Sequence, residues 1–372
     1  MVKVCHITSV HPPEDVRIFK KECTSLAKYG YDVYLVQQGD SYEKNGVHIV
    51  GFGEKSGGRI KRMTKYARKA YNIALDIDAD LYHIHDPELL PYGLLLHYKG
   101  KKVIFDSHEH YALQIRLKKC IPKLLRSLVA NLYHEIETFI CKRISGVVKC
   151  GNVDGKDIFE GRAKRCVDIF NYPVLEDFFP DDTFIKNEEY FCYFGSLTED
   201  RGITELVKVS YRLKLKLFLA GTFPDIEYKN LLMAMNEFEY TKYLGIIDHS
   251  EVRKLMSSAF CGVNILHNVG QYAIMETMPI KVFEYMACGI PVVLNNNKFN
   301  TEFVKKHNVG MVVDPQNIDE IAKAILFFKN NKNEGEKMGL IGRRIVVENY
   351  SWQLQEKKLV NFYGEILKAG CN

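Results

Sequence analysis

No stretch of the 372 residues stays apolar for the roughly 20 positions that a membrane-spanning helix needs. The chain opens directly in a strand, Lys3-Val4-Cys5-His6-Ile7, without the charged-then-apolar segment of an export signal. The expectation is a protein that is neither integral to a membrane nor exported. Ten cysteines are present but none stand as Cys-x-x-Cys. Cys5, Cys192 and Cys261 fall in apolar runs that read as strands, so they are expected to be reduced core residues of a cytosolic protein. No segment has the composition of a disordered tail, and no nucleic-acid-binding module is recognisable, which argues against a nucleic-acid partner.

What is present fits a soluble enzyme of ordinary composition, 47 % hydrophobic and 26 % charged, and long enough for two domains. The charge is unevenly spread. Up to residue 172 there are 28 Lys/Arg against 20 Asp/Glu, and beyond it 23 against 26, so balances of +8 and −3 make up the +5 total. Much of the excess lies in two clusters, one over 59–69 and one over 116–126. The first reads as an amphipathic helix with Ile60, Met63, Ala67, Ala70 and Tyr71 inward and Arg59, Lys61, Arg62, Lys65, Arg68 and Lys69 outward. The second, Arg116, Lys118, Lys119, Lys123 and Arg126, opens a long helical region ending near Arg143. Either cluster alone reads as a solvated face. Two in one half point to an anionic membrane surface, each basic residue contributing up to about 1 kcal/mol there.

Apolar runs of five or six residues alternate with helical patterns along the whole chain, the signal for βαβ units and parallel sheets. Strands are predicted at 3–8, 32–37, 47–52, 81–85, 102–106, 146–150 and 167–170, and, after the Asn171-Tyr172-Pro173 break and an acidic linker over 173–185, at 190–194, 216–220, 240–244, 261–266 and 290–294. The domains are therefore 1–172 and 186–350, followed by a final helix over 351–372.

Residues 275–293, METMPIKVFEYMACGIPVV, combine loop, helix, turn and buried strand. Pro279 suits a helix start and Gly289 a helix end. Glu276 sits just outside the helix mouth, and Lys281 and Glu284 share one face three residues apart. A helix N-terminus attracts a diphosphate, and a carboxylate beside it can accept both hydrogen bonds of a vicinal diol. Lys281 with Glu284 also reads as an ordinary helix pair, and Glu276 as an exposed loop acid.

These residues, Glu276, Glu284 and the Tyr-Met-Ala-Cys-Gly-Ile-Pro-Val that follows, resemble the donor-site signature of GT-B glycosyltransferases of family four. The resemblance implies an α/β chain of two Rossmann-like domains facing a cleft, transfer from a nucleotide-sugar donor with retention and without metal or cofactor, and a final helix crossing back to the first domain. It implies that Glu276 holds sugar hydroxyls and Glu284 the ribose. Gly195-Ser196-Leu197-Thr198-Glu199-Asp200-Arg201-Gly202 is similar to the family's phosphate loop, with Ser196 in place of its Arg and Arg201 in place of its Lys; Lys281 would then share the phosphate contacts, and Arg201 would otherwise pair with Glu199. Backbone from Gly245 to Asp248 would hold the base.

In the first half, His11-Pro12-Pro13-Glu14-Asp15-Val16-Arg17-Ile18-Phe19 is similar to a loop of bacterial polysaccharide transferases of that family, where others carry Gly-Gly. His11, Arg17 and Glu109 are the implied acceptor residues, Arg17 having an exposed salt bridge with Asp15 or Glu22 as its alternative. His108 at the end of a strand resembles the family histidine that contacts the transferred sugar. Four histidines, His83, His85, His108 and His110, crowd two strand-end loops, yet none has the spacing of a zinc helix motif, so no metal is expected. The function implied is a glycosyltransferase of surface polysaccharide or lipopolysaccharide synthesis, cytoplasmic and peripheral at the inner membrane face, acting on a glycan or lipid-linked acceptor. The rivals are a sugar-nucleotide epimerase of the same architecture and a non-catalytic glycan-assembly subunit.

Overall fold

Short runs, most of them rich in β-branched and aromatic residues and closed by a glycine, asparagine or aspartate turn, form fourteen strands among the described residues. The computed structural model describes residues 1–54, 56–58, 61–108, 110–118, 121–178 and 189–369. Glu109, Arg59, Ile60, Lys119 and the 179–188 part of the acidic segment lie outside it. The chain divides into two units, residues 1–171 with 352–372, and residues 172–351.

The first unit is built on an eight-stranded sheet in the order β3 (Tyr42–Lys44), β4 (Val47–Gly51), β2 (Asp32–Gln37), β1 (Lys3–Ile7), β5 (Leu81–Ile84), β6 (Lys102–Ser107), β7 (Gly146–Lys149), β8 (Cys166–Asp168). All neighbours are parallel except β3 with β4. Sequence patterning misses β3 because its three residues are exposed and polar, an edge strand with no face to bury. The register sets His6 directly beside His83. Between β1 and β2 runs a π-helix, Val16–Cys23, capped by the Asp15 carboxylate, which accepts from the Arg17 and Ile18 amides.

The closing helix, Trp352–Lys368, is part of this unit. Trp352 Nε1 donates to Ser25 Oγ at 2.9 Å, and Ser25 donates on to Glu356. Gly146 lets the helix approach the sheet, since a Cβ there would lie 2.6 Å from the Phe362 ring.

The helical expectations need two corrections. The segment after 59 begins with a π-turn, Arg62–Tyr66, before the α-helix Ala67–Ile77. Met63 is consequently exposed, while Ala67, Ala70 and Tyr71 are buried as the periodicity predicts. The long region from 116 is two helices, Tyr111–Leu117 and Lys123–Cys141. The second carries a broad exposed stripe of Leu124, Leu128, Leu132, Ile136 and Phe139, with Leu124 95 % exposed.

The second unit has a six-stranded parallel sheet, β11 (Thr241–Tyr243), β10 (Lys216–Ala220), β9 (Tyr190–Phe194), β12 (Gly262–Asn264), β13 (Val292–Asn295), β14 (Gly310–Val313). Chain order runs outward from β9 to one side and then resumes at β12 on the other, so the topological switch point lies between those two strands. The helix Ile280–Ala287 lies against β12, where Gly262 clears room for it; a Cβ at Gly262 would sit 2.3 Å from the Tyr285 ring. Tyr285 is completely buried, and its hydroxyl accepts from the Phe194 amide of β9 at 3.2 Å. No helix among the described residues is long and apolar enough to cross a membrane.

Candidate active site

At the carboxyl end of the second sheet three glycines stand side by side. The Gly195 amide donates to the Ala220 carbonyl at 2.8 Å, and the Gly221 amide to the Gly245 carbonyl at 2.7 Å. Gly195 (φ +131°) and Gly221 (φ +135°) hold backbone angles that side chains disfavour, and a Cβ on Gly221 would lie 1.8 Å from the Gly195 carbonyl. The strand ends are thereby stripped of side chains beside the switch point, where doubly wound sheets bind ligands.

Lys281, in the first turn of the helix Ile280–Ala287, reaches this surface. Pro279 is the residue preceding that helix rather than its first member, a shift of one position. The lysine is not the exposed partner of an ordinary helix pair: it is 6 % exposed. Its ammonium donates to the Tyr193 hydroxyl at 2.6 Å and lies so near Gly195 that a Cβ there would come within 2.7 Å of Nζ. Burial lowers the Lys281 pKa well below the ordinary lysine value, the Arg201 guanidinium lowers it further, and only Glu284 acts the other way. Tyr193 is the member of this group that sequence reasoning missed. Inside an aromatic strand it reads as core, and only the polar tip of a strand-end tyrosine hinted otherwise. Its hydroxyl donates to the Ser196 carbonyl at 3.0 Å and so bends the loop that follows.

That loop runs through Ser196 to a single 3-10 turn, Glu199–Arg201, and ends at Gly202, whose positive φ of +71° opens the helix Ile203–Leu213. A Cβ on Gly202 would meet the Ile265 carbonyl at 2.6 Å, so the loop is pressed onto the end of β12. Arg201 is half-buried there. Glu284, one turn beyond Lys281, has a side chain only 12 % exposed, with Oε1 3.8 Å from His249 Nε2. His249 starts the helix after the Gly245–Asp248 loop, a proximity that spacing could not reveal because 35 residues separate it from Glu284. Glu276 is half-buried in the bend before Pro279. Two cations, a strip of bare backbone and a carboxylate with a neighbouring imidazole thus share one end of one sheet, an arrangement able to neutralise a diphosphate and accept from a diol.

The first unit gathers a second group at its own strand ends. His108, just after β6, has Nδ1 3.6 Å from Asp106 Oδ1, and its ring centre lies 5.3 Å from that of His11. His11 Nδ1 is 3.3 Å from Asp15 Oδ2 and Nε2 is 3.5 Å from Asp86 Oδ1. Burial opposes charge on His11, but the Asp15 hydrogen bond and the Asp86, Asp15 and Asp106 carboxylates outweigh it and raise its pKa.

Arg17 is a correction. It is neither an exposed ion pair nor open to an acceptor: its side chain is buried, with Nε 2.9 Å from Asp106 Oδ2, Nη2 3.0 Å from Oδ1 and Nη1 donating to the Ile169 carbonyl at 3.1 Å. The cause is the π-helix. Residues five apart lie about 140° apart around an α-helix, whereas the wider π turn brings Arg17 and Glu22 to the same inward side, 3.0 Å apart. Beyond this cluster an open cavity of about 360 Å³ is lined by His110, Tyr111, Arg116, His134, Lys156 and Arg162, among others.

Comparison with known proteins agrees with both units. Residues 176–345 match the glycosyl transferases group 1 family. An uncharacterised glycosyltransferase of Methanocaldococcus jannaschii is 28 % identical over 182 residues, 48 % of this chain and 45 % of that protein, so the match spans less than half of the relative's length. The fold of sucrose-phosphate synthase from Thermosynechococcus elongatus superposes with a TM-score of 0.79 at 15 % identity, covering all of both chains. That of Anabaena HepE in complex with UDP and glucose gives 0.74 at 13 % identity, covering 98 % of this chain and all of that one. Residues 176–345, a little under half of the chain, are similar to the group 1 glycosyl transferases, and the two parallel-sheet units have the GT-B fold.

Proposed function

We propose that the chain transfers a sugar from a nucleoside diphosphate donor held by the second unit to a glycan or lipid-linked acceptor held by the first, with retention and without a metal at the diphosphate, in surface polysaccharide synthesis. The observation that carries this reading is the buried Lys281 ammonium held against Tyr193 and the bare Gly195 strand end, where burial first and the Arg201 guanidinium second lower its pKa. A diphosphate relieves the repulsion between the two cations, and its growing charge as the sugar leaves is what fixed cations stabilise best.

In this reading Gly195 and Ser196 offer backbone to the phosphates, Glu284 accepts from the ribose diol, Gly245 borders the base, Glu276 grips sugar hydroxyls and His108 contacts the transferred sugar. HepE, on the same fold, is bound to UDP and glucose, which supports a nucleotide-sugar donor. Acceptor contacts shift from Arg17 to the cavity beside Tyr111, where Arg116 and Lys156 suit an anionic headgroup while Arg162 is paired with Glu137 at 2.7 Å. The leucine stripe of Lys123–Cys141, with Lys123 and Arg126 at its start, suits the cytoplasmic face of an anionic membrane carrying that acceptor. Incubation with nucleotide sugars, with and without a lipid-linked glycan, tests this. Sugar should appear on the acceptor. A released, rearranged sugar in its absence would instead identify an epimerase, and unchanged cellular glycan in both Glu284→Ala and His108→Ala would identify a non-catalytic subunit.

A further inference from the structure

We propose that His6, His83, His85 and Glu22, buried together in the first unit, form a four-ligand site for one divalent transition-metal ion, with zinc the best chemical fit. One ligand atom from each of the four lies within 4.8 Å of all the others, and all four side chains are fully buried. The sheet register creates half of the site: His6 of β1 stands beside His83 of β5, and His85 follows two residues on, on the same face. The π-helix lowers Glu22 onto that face. Glu22 Oε2 is 4.0 Å from His6 Nδ1, 3.7 Å from His83 Nδ1 and 4.0 Å from His85 Nε2.

The separations from His6 Nδ1 and His85 Nε2 are too long for hydrogen bonds but close to ligand spacings. Four ligands about 2.0–2.1 Å from a tetrahedral ion stand roughly 3.3 Å from one another. Neither oxygen of Glu22 has a hydrogen-bond partner among the described residues, and neither does His83 Nε2. Sealed from water, Glu22 has the Arg17 guanidinium 3.0 Å from Oε1, and a cation beside Oε2 would do the same for its other oxygen.

The surroundings have the outer partners that histidine ligands need. With His85 Nε2 turned to the ion, its Nδ1 rests 3.2 Å from Asp106 Oδ2. With His6 Nδ1 turned to the ion, its Nε2 is 3.1 Å from the Tyr363 hydroxyl, and the same hydroxyl lies 2.8 Å from His83 Nδ1, which leaves the unpartnered Nε2 of His83 for the ion. His6 Nδ1 and His85 Nε2 share a 2.9 Å hydrogen bond, which the ion replaces. Three imidazoles, one carboxylate and no thiolate favour zinc over calcium or magnesium. The site is closed and dry, so the ion is structural. It ties β1, β5 and the π-helix together and, through Asp106, fixes the segment that carries His108.

The test is the metal content of the full-length protein, refolded with and without zinc and passed through a chelating resin. The expected result is about one zinc per chain, with an X-ray absorption first shell of nitrogen and oxygen at about 2.0–2.1 Å and no sulfur. Glu22→Gln should lose most of the zinc, whereas His48→Gln, a half-exposed histidine elsewhere on the sheet, should keep it. Less than about a tenth of an equivalent in the refolded wild type, or a sulfur-containing shell, would reduce the cluster to a hydrogen-bonded network and overturn the proposal. Both wild-type readings stand even if Glu22→Gln does not fold.

Discussion

At Lys281 the side chain is kept where a proton is hard to hold: sealed from water, facing Arg201, with Glu284 as its counterweight. A bound diphosphate supplies the missing negative charge and must raise the lysine pKa. Donor binding should therefore take up a proton, and affinity should fall as pH rises from the depressed pKa of the free protein towards the higher pKa of the complex. Calorimetry of nucleoside diphosphate binding in two buffers of different ionisation enthalpy reads this directly; no proton uptake at alkaline pH would mean that the ligand does not touch Lys281. Arg17 makes the opposite case. Removing it strands Asp106 and Glu22 without their cation, so Arg17→Met should cost about 3–5 kcal/mol in denaturant unfolding. A loss below about 1 kcal/mol would show that the pair is solvated. Lys281 and Glu284 were legible because three residues of helix fix their relation. For Arg17 local charge pairing offered Glu22 correctly but as an exposed pair, and it missed Asp106, which is 89 residues away and draws the guanidinium into the interior.

Among the elements, the row of strand-end glycines separates stability from binding. Gly195→Ala forces a β-carbon against the movable end of Lys281, while Gly221→Ala forces one into the Gly195 carbonyl. Both strain a backbone at positive φ, by about 1–3 kcal/mol. Gly221→Ala should be the more destabilising in thermal melts because backbone must move. Gly195→Ala should retain more stability yet bind nucleotide more weakly because the lysine is displaced. Equal melts and equal binding would contradict this geometry. Most strands with apolar runs were readable to within a residue or two, whereas β14 (Gly310–Val313), β3 and the two π turns were not. β3 buries no face, and a π turn leaves no periodic mark within eight residues.

For the whole molecule, the alternation of strands and helices was enough to read two parallel-sheet units, since parallel strands must be buried on both faces and so become continuous apolar runs. Their strand-end histidines and glycines were readable too, but not the convergence of His6, Glu22, His83 and His85, which depends on register and on a helix type. In the first unit the helix Lys123–Cys141 exposes a stripe of leucines, which the proposed function sets against an anionic membrane. Leu128→Glu with Leu132→Glu should abolish sedimentation with anionic vesicles while leaving transfer to a soluble acceptor intact, and undiminished vesicle binding would remove that face from the account. The central claim remains that the carboxyl end of the second sheet holds a nucleoside diphosphate through Lys281, Arg201 and Glu284. Its most direct measurement is titration of nucleoside diphosphates into the wild type, Lys281→Met and Glu284→Ala. The expected result is binding by the wild type and a loss of about tenfold or more in each folded variant, at least about 1.4 kcal/mol. Wild-type affinity in both variants would contradict it.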